Sequence, residues 1–308
     1  MTLLALLLAI VAERLFGYMA TFRRAIFVRY VTIFDDVWRR LGLRHDGLRL
    51  FLLLIVPTVA IGWTALWLSE LWFGLIWILF AFAVLFLSFG PEDLESDIHA
   101  YVDAFALGDP VRQWRAASRF MEPSEVPEEA VERARSLAEA AFVESNRRVF
   151  TPMFWFILLG PAGALVCRLI AVVADMGSSL DEMQEQSGDF GARRDLARLA
   201  SGFGAFLEWV PARLAAIGYA LTGSFDHAFD GLRRFFWSRG TSMVENTHQL
   251  LRMSGAGAVR LHERLDENEG VDVTVVGALY SAVIDHIHRN VIVWLTVVAF
   301  MTLGEWLA

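Results

Sequence analysis

The sequence predicts an all-α, polytopic helical membrane protein, and three observations predict it. Hydrophobic residues fill 56% of 308 positions and mean hydropathy is +0.46, too apolar for an ordinary soluble domain. Eleven Trp and 24 Phe suit lipid-facing helices and interfacial belts. Apolar runs of membrane length recur, separated by polar, charge-rich stretches. The expected architecture is a single membrane domain over residues 1–308, with about four to six membrane helices and a cytoplasmic helical layer.

Residues 2–12 are apolar but short of the roughly 20 that a full span needs. No positive n-region precedes them and no small-residue cleavage site follows, so a signal peptide is not expected. Extended to about residue 20, the run would reach across or re-enter, with Glu13 and Arg14 near membrane depth or snorkelling to the interface. Over 13–47, seven Arg face four acids. Arg23, Arg24, Phe27, Tyr30, Val31 and Phe34 fit an amphipathic helix lying on the bilayer. Residues 48–67 and 71–89 read as a hairpin of spans whose turn gathers Trp63, Trp67 and Trp72 as interfacial anchors.

From Gly90 to Thr151 the chain is polar. Gly108-Asp109-Pro110 breaks one helix, and Pro127 with Glu128 and Glu129 opens another. Spans are expected at 152–174, interrupted at Gly160-Pro161, and at 203–223, with an acidic loop at 175–202 between them. Residues 224–289 read as amphiphilic helix broken at Ser254-Gly255-Ala256-Gly257, and 290–307 as a last span. The stretches 13–47, 90–151 and 224–289 hold 21 arginines, whereas 68–70 and 175–202 hold three. That asymmetry places the large loops in the cytoplasm if 203–223 crosses.

All 27 basic residues are Arg, and the net charge is −8. No concentrated basic face stands out, which argues against nucleic acid and leaves the lipid bilayer as the expected partner. The single Cys167 excludes internal disulfides and a cysteine metal cage. Walker A, G-x-S-x-G and H-E-x-x-H motifs are absent.

Four constellations carry possible chemistry. Arg168, Glu208 and Arg213 put charge inside apolar runs, where mutual pairing or a polar binding cavity is the natural outcome. Glu144, Asn146, Arg147 and Arg148 sit at the mouth of the 152–174 run. There Glu144 and Arg148 can pair at i, i+4, or the arginine forks can bind an anion or phosphate. The candidate cavity therefore comprises Arg168, Glu208, Arg213, Glu144, Asn146 and Arg148, with Glu13 and Arg14 near it. Asp93 and Asp97 share a helix face, a weak Mg²⁺ candidate beside solvated helix-start acids. His286-x-His288, with His248 and His262 upstream, points its imidazoles apart and does not read as a metal site.

The run Glu144-x-Asn146-x-Arg148-x-Phe150-x-Pro152-x-Phe154-Trp155, leading into Gly160-Pro161-x-Gly163-Ala164-Leu165-x-x-Arg168-Leu169, resembles the AmpE branch of the AmpE/cobinamide-phosphate synthase superfamily. Trp209-Val210-Pro211-Ala212-Arg213-Leu214 and Glu13-Arg14-Leu15-Phe16 agree with it. The cobalamin branch, CobD/CbiB, carries A-E-N and N-T-L-D-S-M motifs. In this chain Glu139 is followed by Ala140-Ala141, and only Asp175-Met176 of the later motif is kept. The resemblance therefore implies an inner-membrane modulator, not clearly an enzyme, linked to an AmpD-type amidase and to β-lactamase induction and antibiotic response. The alternative it implies is an ATP- and Mg²⁺-dependent ligase joining an amino alcohol to a corrinoid carboxylate. A third reading, from the buried arginines, is a transporter or binding protein for a muropeptide-like anion.

Overall fold

The structure, a computed structural model, describes residues 2–16, 20–41, 45–69, 75–89, 91–181, 189–223, 242–266 and 272–307. Among them every regular element is helical. They divide into two compact units, Met1–Gly90 with Thr151–Leu207, and Pro91–Phe150 with Glu208–Ala308.

The first unit holds α1 (Thr2–Phe16), α2 (Ala20–Arg40), α3 (Asp46–Ser69), α4 (Leu75–Ser88), α8 (Thr151–Leu159), α9 (Pro161–Asp181) and the first part of α10 (Asp189–Thr222). Ala5, Ala9 and Ala12 form a small-residue face on α1 and are buried, and α1 packs on α4. Small side chains let two apolar helices approach closely. Leu4, Leu7, Leu8 and Val11 face outward. Phe27 and Val31 join Leu53, Val84, Leu169, Ile170 and Val173 in the unit's core.

One arginine departs from the surface helix expected for α2, and another on α3 ties that helix down. Arg23 is buried. Its Nη1 donates to the carbonyls of Phe86 and Phe89 at 3.0 and 3.1 Å, and its guanidinium lies 5.0 Å from the Phe86 ring. A cation there serves the unsatisfied carbonyls and the negative end of α4. Arg49 on α3 forms a buried ion pair with Asp35 on α2, so α2 is fastened into the unit by charge as well as by apolar contact.

The break expected at Gly160-Pro161 is present. Gly160 takes φ +66, a left-handed conformation that costs glycine nothing, and Pro161 opens α9 with its fixed φ. The 152–174 run is thus two helices, α8 and α9. The expected loop at 175–202 is largely helical, since α9 continues to Asp181 and α10 starts at Asp189.

The second unit holds α5 (Pro91–Ala106), α6 (Pro110–Ala117), α7 (Ala130–Ser145), a π turn (Asn146–Phe150), the rest of α10, α11 (Met243–Ala258), α12 (Leu261–Asp266) and α13 (Val273–Leu307). Asp109 caps α6, its carboxylate accepting from the amides of Val111 and Arg112 at 3.0 and 3.1 Å. Helix α7 begins at Ala130, later than Pro127, and Arg133 Nη1 donates to the carbonyls of Pro127 and Glu128.

No break occurs at Ser254–Gly257. Gly255 lies inside α11, where a Cβ would stand 2.3 Å from Cγ of Phe142. The glycine serves close packing of α11 on α7, and the turn comes afterwards at Arg260, with φ 52. Helix α13 starts at Val273, ahead of the apolar run expected from Asn290. Asp46–Ser69 and Val273–Thr302 are long and apolar enough to cross a membrane.

Candidate functional site

The π turn supplies the local geometry. Pro152 has no N–H to return to the carbonyl four residues back, so an ideal α-helix cannot run through it. The chain widens into one π turn just before it, and such turns re-aim side chains at functional positions. Asn146 is fully buried there, and neither atom of its side-chain amide has a hydrogen-bond partner among the described residues. A buried amide left so costs free energy that a bound ligand or water recovers.

Around it runs a lattice of charges. Arg148 Nε donates to Oε2 of Glu144 at 2.7 Å, and its Nη1 to Oδ2 of Asp97 at 2.8 Å. Asp97 Oδ1 accepts from Arg119 Nη1 at 2.7 Å, and Arg147 stands 3.6 Å from Glu144. The i, i+4 pairing expected of Glu144 and Arg148 is therefore present. Burial by itself would raise the Glu144 carboxyl, but Arg148 and Arg147 outweigh it and hold the group below its ordinary value. Burial likewise opposes the Arg148 charge, and Glu144 and Asp97 overcome that, fixing it as a cation. Arg148 is consequently a permanently charged fork aimed by two carboxylates.

Helix α11 packs on α7 and adds His248 and Arg252. Burial lowers the His248 imidazole, and Arg252 and Arg147 push in the same direction against the pull of Glu144. Burial raises Glu139, opposed by Arg252 and Arg135. Deeper in the same unit, Ser145 Oγ and Tyr219 Oη are 2.6 Å apart, and Asn290 Nδ2 donates to the Ala215 carbonyl at 3.0 Å. This chain links α7, α10 and α13.

The residues expected to form the cavity are distributed between the units. Glu144, Asn146, Arg148, Glu208 and Arg213 belong to the second, and Glu208 is coupled electrostatically to Arg147 and Glu144. The expected Glu208–Arg213 pairing is absent among the described residues. Arg213 instead stacks on the Trp209 ring at 3.8 Å and donates to its carbonyl. Five residues along a helix turn two side chains well apart, whereas three or four bring them together. Arg168 lies in the first unit, 6.0 Å from the Phe27 ring. The side chains of Glu13, Arg14 and Asp93 lie outside the described residues. Asp97 is engaged on both oxygens by arginine. His286 packs edge-on to Phe142, whereas His288 bonds Glu95 at 2.6 Å, so the two imidazoles do diverge.

Arg119, Tyr219 and Asn290 join the unit's polar contacts with no signal in the sequence. Each reaches its partner across tens of residues, and no local spacing announces such contacts.

Comparison with known proteins places the chain beside cobalamin proteins. It is 29% identical over 229 residues to "Cobalamin biosynthesis protein CobD" of Chromobacterium violaceum, covering 73% of this chain and 65% of that protein. It is 28% identical over 278 residues to the protein of the same name from Stutzerimonas stutzeri, covering 86% and 84%. No solved structure matches it. These similarities overturn the expected AmpE assignment, and with it the non-enzymatic modulator, the AmpD link and β-lactamase regulation. The synthase motifs altered at Ala140-Ala141 and Val172–Gly177 were weighed as loss of the cobalamin branch, yet the likeness to that branch runs through both segments. With residues 6–264 matching the family described as "CobD/Cbib protein", the chain belongs to the CobD/CbiB family.

Proposed function

We propose that this chain is an adenosylcobinamide-phosphate synthase, an ATP-dependent amide ligase of cobalamin biosynthesis. The carrying observation is that the family match over residues 6–264 encloses the whole Asp97–Arg148–Glu144 lattice. Joining a carboxylate to an amine requires an activated carboxyl, and ATP when bound supplies the phosphoryl group that makes the carboxyl oxygen a leaving group. The residues at hand suit the anionic side of that chemistry. Arg148, fixed by Glu144 and Asp97, offers donors in a set orientation, and Arg119 and Arg147 flank it, an arrangement matched to phosphate oxygens. Asn146 contributes an unpaired donor and acceptor.

The proposal places the protein in the bacterial inner membrane as a multi-pass chain. The arginine-rich stretches, and with them the charged lattice, would face the cytoplasm, where nucleotide is available. Two helices of membrane-crossing length and hydropathy support a membrane location.

Expression of the chain should restore adenosylcobalamin-dependent growth to a bacterium lacking its cobinamide-phosphate synthase. The same strain carrying Arg148→Ala should not grow. Failure of the wild-type chain, with membrane expression confirmed by immunoblot, counts against the assignment.

A further inference from the structure

Helix α10 carries a charge on its outward face. Arg213 is partly exposed, and Trp209, Val210 and Leu214 around it are exposed. A cation set in an exposed apolar surface is stable only where an anion or water meets it. Among the described residues no carboxylate pairs with Arg213. It is held on its own helix instead. The guanidinium lies 3.8 Å from the centre of the Trp209 ring, and Nη1 donates to the Trp209 carbonyl at 2.7 Å. One donor and one face of the fork are thereby used, and the remaining N–H groups serve a partner outside the helix.

The depth of Arg213 follows from α13. Asn290 Nδ2 donates to the Ala215 carbonyl. A Cβ on Gly218 would meet the Asn290 amide, and a Cβ on Gly223 would meet the His286 ring. The two helices therefore run antiparallel, with Ala215 level with Asn290. At Asn290 α13 also changes character. Asp285, His286, His288 and Arg289 precede it, whereas Val291 to Met301 carries no charge, and Ile292, Val297, Phe300 and Met301 are exposed. The edge of the hydrocarbon belongs at that boundary. Arg213 precedes Ala215 by two residues, about 3 Å along the axis, so it lies at that edge. Trp209 lies one turn deeper, where an interfacial aromatic belongs. With residues 224–289 on the cytoplasmic side, the leaflet concerned is the cytoplasmic one.

We infer that Arg213 and Trp209 form a binding site for the phosphate of an anionic phospholipid of that leaflet. A guanidinium held flat on an indole presents its outer N–H groups in a fixed plane, which matches two phosphate oxygens in parallel. Anionic lipid is drawn to basic groups at this surface, and a zwitterionic headgroup brings a cation of its own against the arginine. The acyl chains run over Trp209 and Val210. Free phosphate meets the same fork but gains nothing from the apolar surface, which favours the lipid. A lipid held there braces α10, the helix whose Tyr219 bonds Ser145 beside Glu144. The site rests on the membrane location proposed above and is independent of the ligase reading.

The test uses the full chain purified in a neutral detergent and titrated with phosphatidylglycerol, phosphatidylcholine or inorganic phosphate. Native mass spectrometry reads bound lipid, and thermal unfolding is followed in parallel. Wild type should retain phosphatidylglycerol in preference to phosphatidylcholine and unfold at a higher temperature with it, while inorganic phosphate changes nothing. Arg213→Ala should bind phosphatidylglycerol about fivefold more weakly, the factor for one arginine at an anionic membrane surface, and lose the preference. Arg213→Gln keeps a donor for the Trp209 carbonyl without the charge. It should behave as Arg213→Ala does, and it carries the test if the alanine variant does not fold. Equal phosphatidylglycerol binding by wild type and a folded variant overturns the site, as does a wild type without preference over phosphatidylcholine. Stabilisation reproduced by inorganic phosphate overturns the lipid as its occupant. Recovery of the wild-type chain from the soluble fraction overturns the membrane location and the site together. Amide formation enters none of these readouts, so the ligase reading stands or falls separately.

Discussion

Arg148→Ala is expected to destabilise the protein by about 3–5 kcal/mol, the cost of leaving buried charge without its partner, and to abolish amide formation. Arg148 answers two carboxylates at once, Glu144 at 2.7 Å and Asp97 at 2.8 Å. Its removal strips both of a charge-assisted donor in a place where water cannot fully replace it. Arg147 remains 3.6 Å from Glu144 and Arg119 remains on Asp97, so the loss stops short of collapse.

The effect should depend on pH, with a definite sign. The Glu144 carboxyl titrates below its ordinary 4.5 in the folded chain. Its contribution is therefore fully present above that value and disappears as pH falls through the lower folded one. The stability gap between wild type and Arg148→Ala should be largest near neutrality and shrink on acidification. Thermal unfolding in detergent across that range reads it. A gap independent of pH would show that Arg148 acts through packing and not through these carboxylates. Arg148→Lys, which keeps the charge but not the fork, should recover part of the stability and little activity.

Gly255→Ala should be the most damaging single-methyl change on α11. The added Cβ would stand 2.3, 2.4 and 2.6 Å from three ring atoms of Phe142. That ring is fully buried and held edge-on between Tyr219 at 5.1 Å and His286 at 6.3 Å, so it has nowhere to turn. Overpacking of this kind costs about 1–3 kcal/mol. It would also separate α11 from α7. Gly255→Ala combined with Phe142→Leu should be more stable than the sum of the two single changes. Strict additivity in that double-mutant cycle would mean that the two side chains do not meet.

How far the sequence could be read varied with the range of each interaction. The breaks at Gly108-Asp109-Pro110 and Gly160-Pro161 and the Glu144–Arg148 pair all depend on neighbours within a turn or two, and each is legible. Gly255 was misread because a glycine placed for close packing and a glycine placed for a turn look identical in sequence. Arg23 was put on the bilayer surface because nothing near it announces the free carbonyls of Phe86 and Phe89, which it serves from more than sixty residues away. The charged lattice shows the same boundary. Its α7 half is visible as a helical spacing, whereas Asp97 reads as a solvated helix-start acid until α5 is laid beside the π turn. Glu208 and Arg213 seemed natural partners by proximity in sequence, and helical rotation separates them. Family placement failed for another reason. The altered motifs at Ala140-Ala141 and Val172–Gly177 are local, whereas the likeness to the CobD/CbiB family extends over residues 6–264.

The most direct measurement is cell-free. The purified full chain, reconstituted in lipid, is supplied with a corrinoid carboxylate, an amino alcohol phosphate and Mg-ATP, and the corrinoid is weighed by mass spectrometry. The expected result is a corrinoid heavier by the condensed amino alcohol, formed only with ATP present, by wild type and not by Arg148→Ala. A folded wild-type chain that yields no amide, where a reference cobinamide-phosphate synthase yields it under the same conditions, would contradict the assignment.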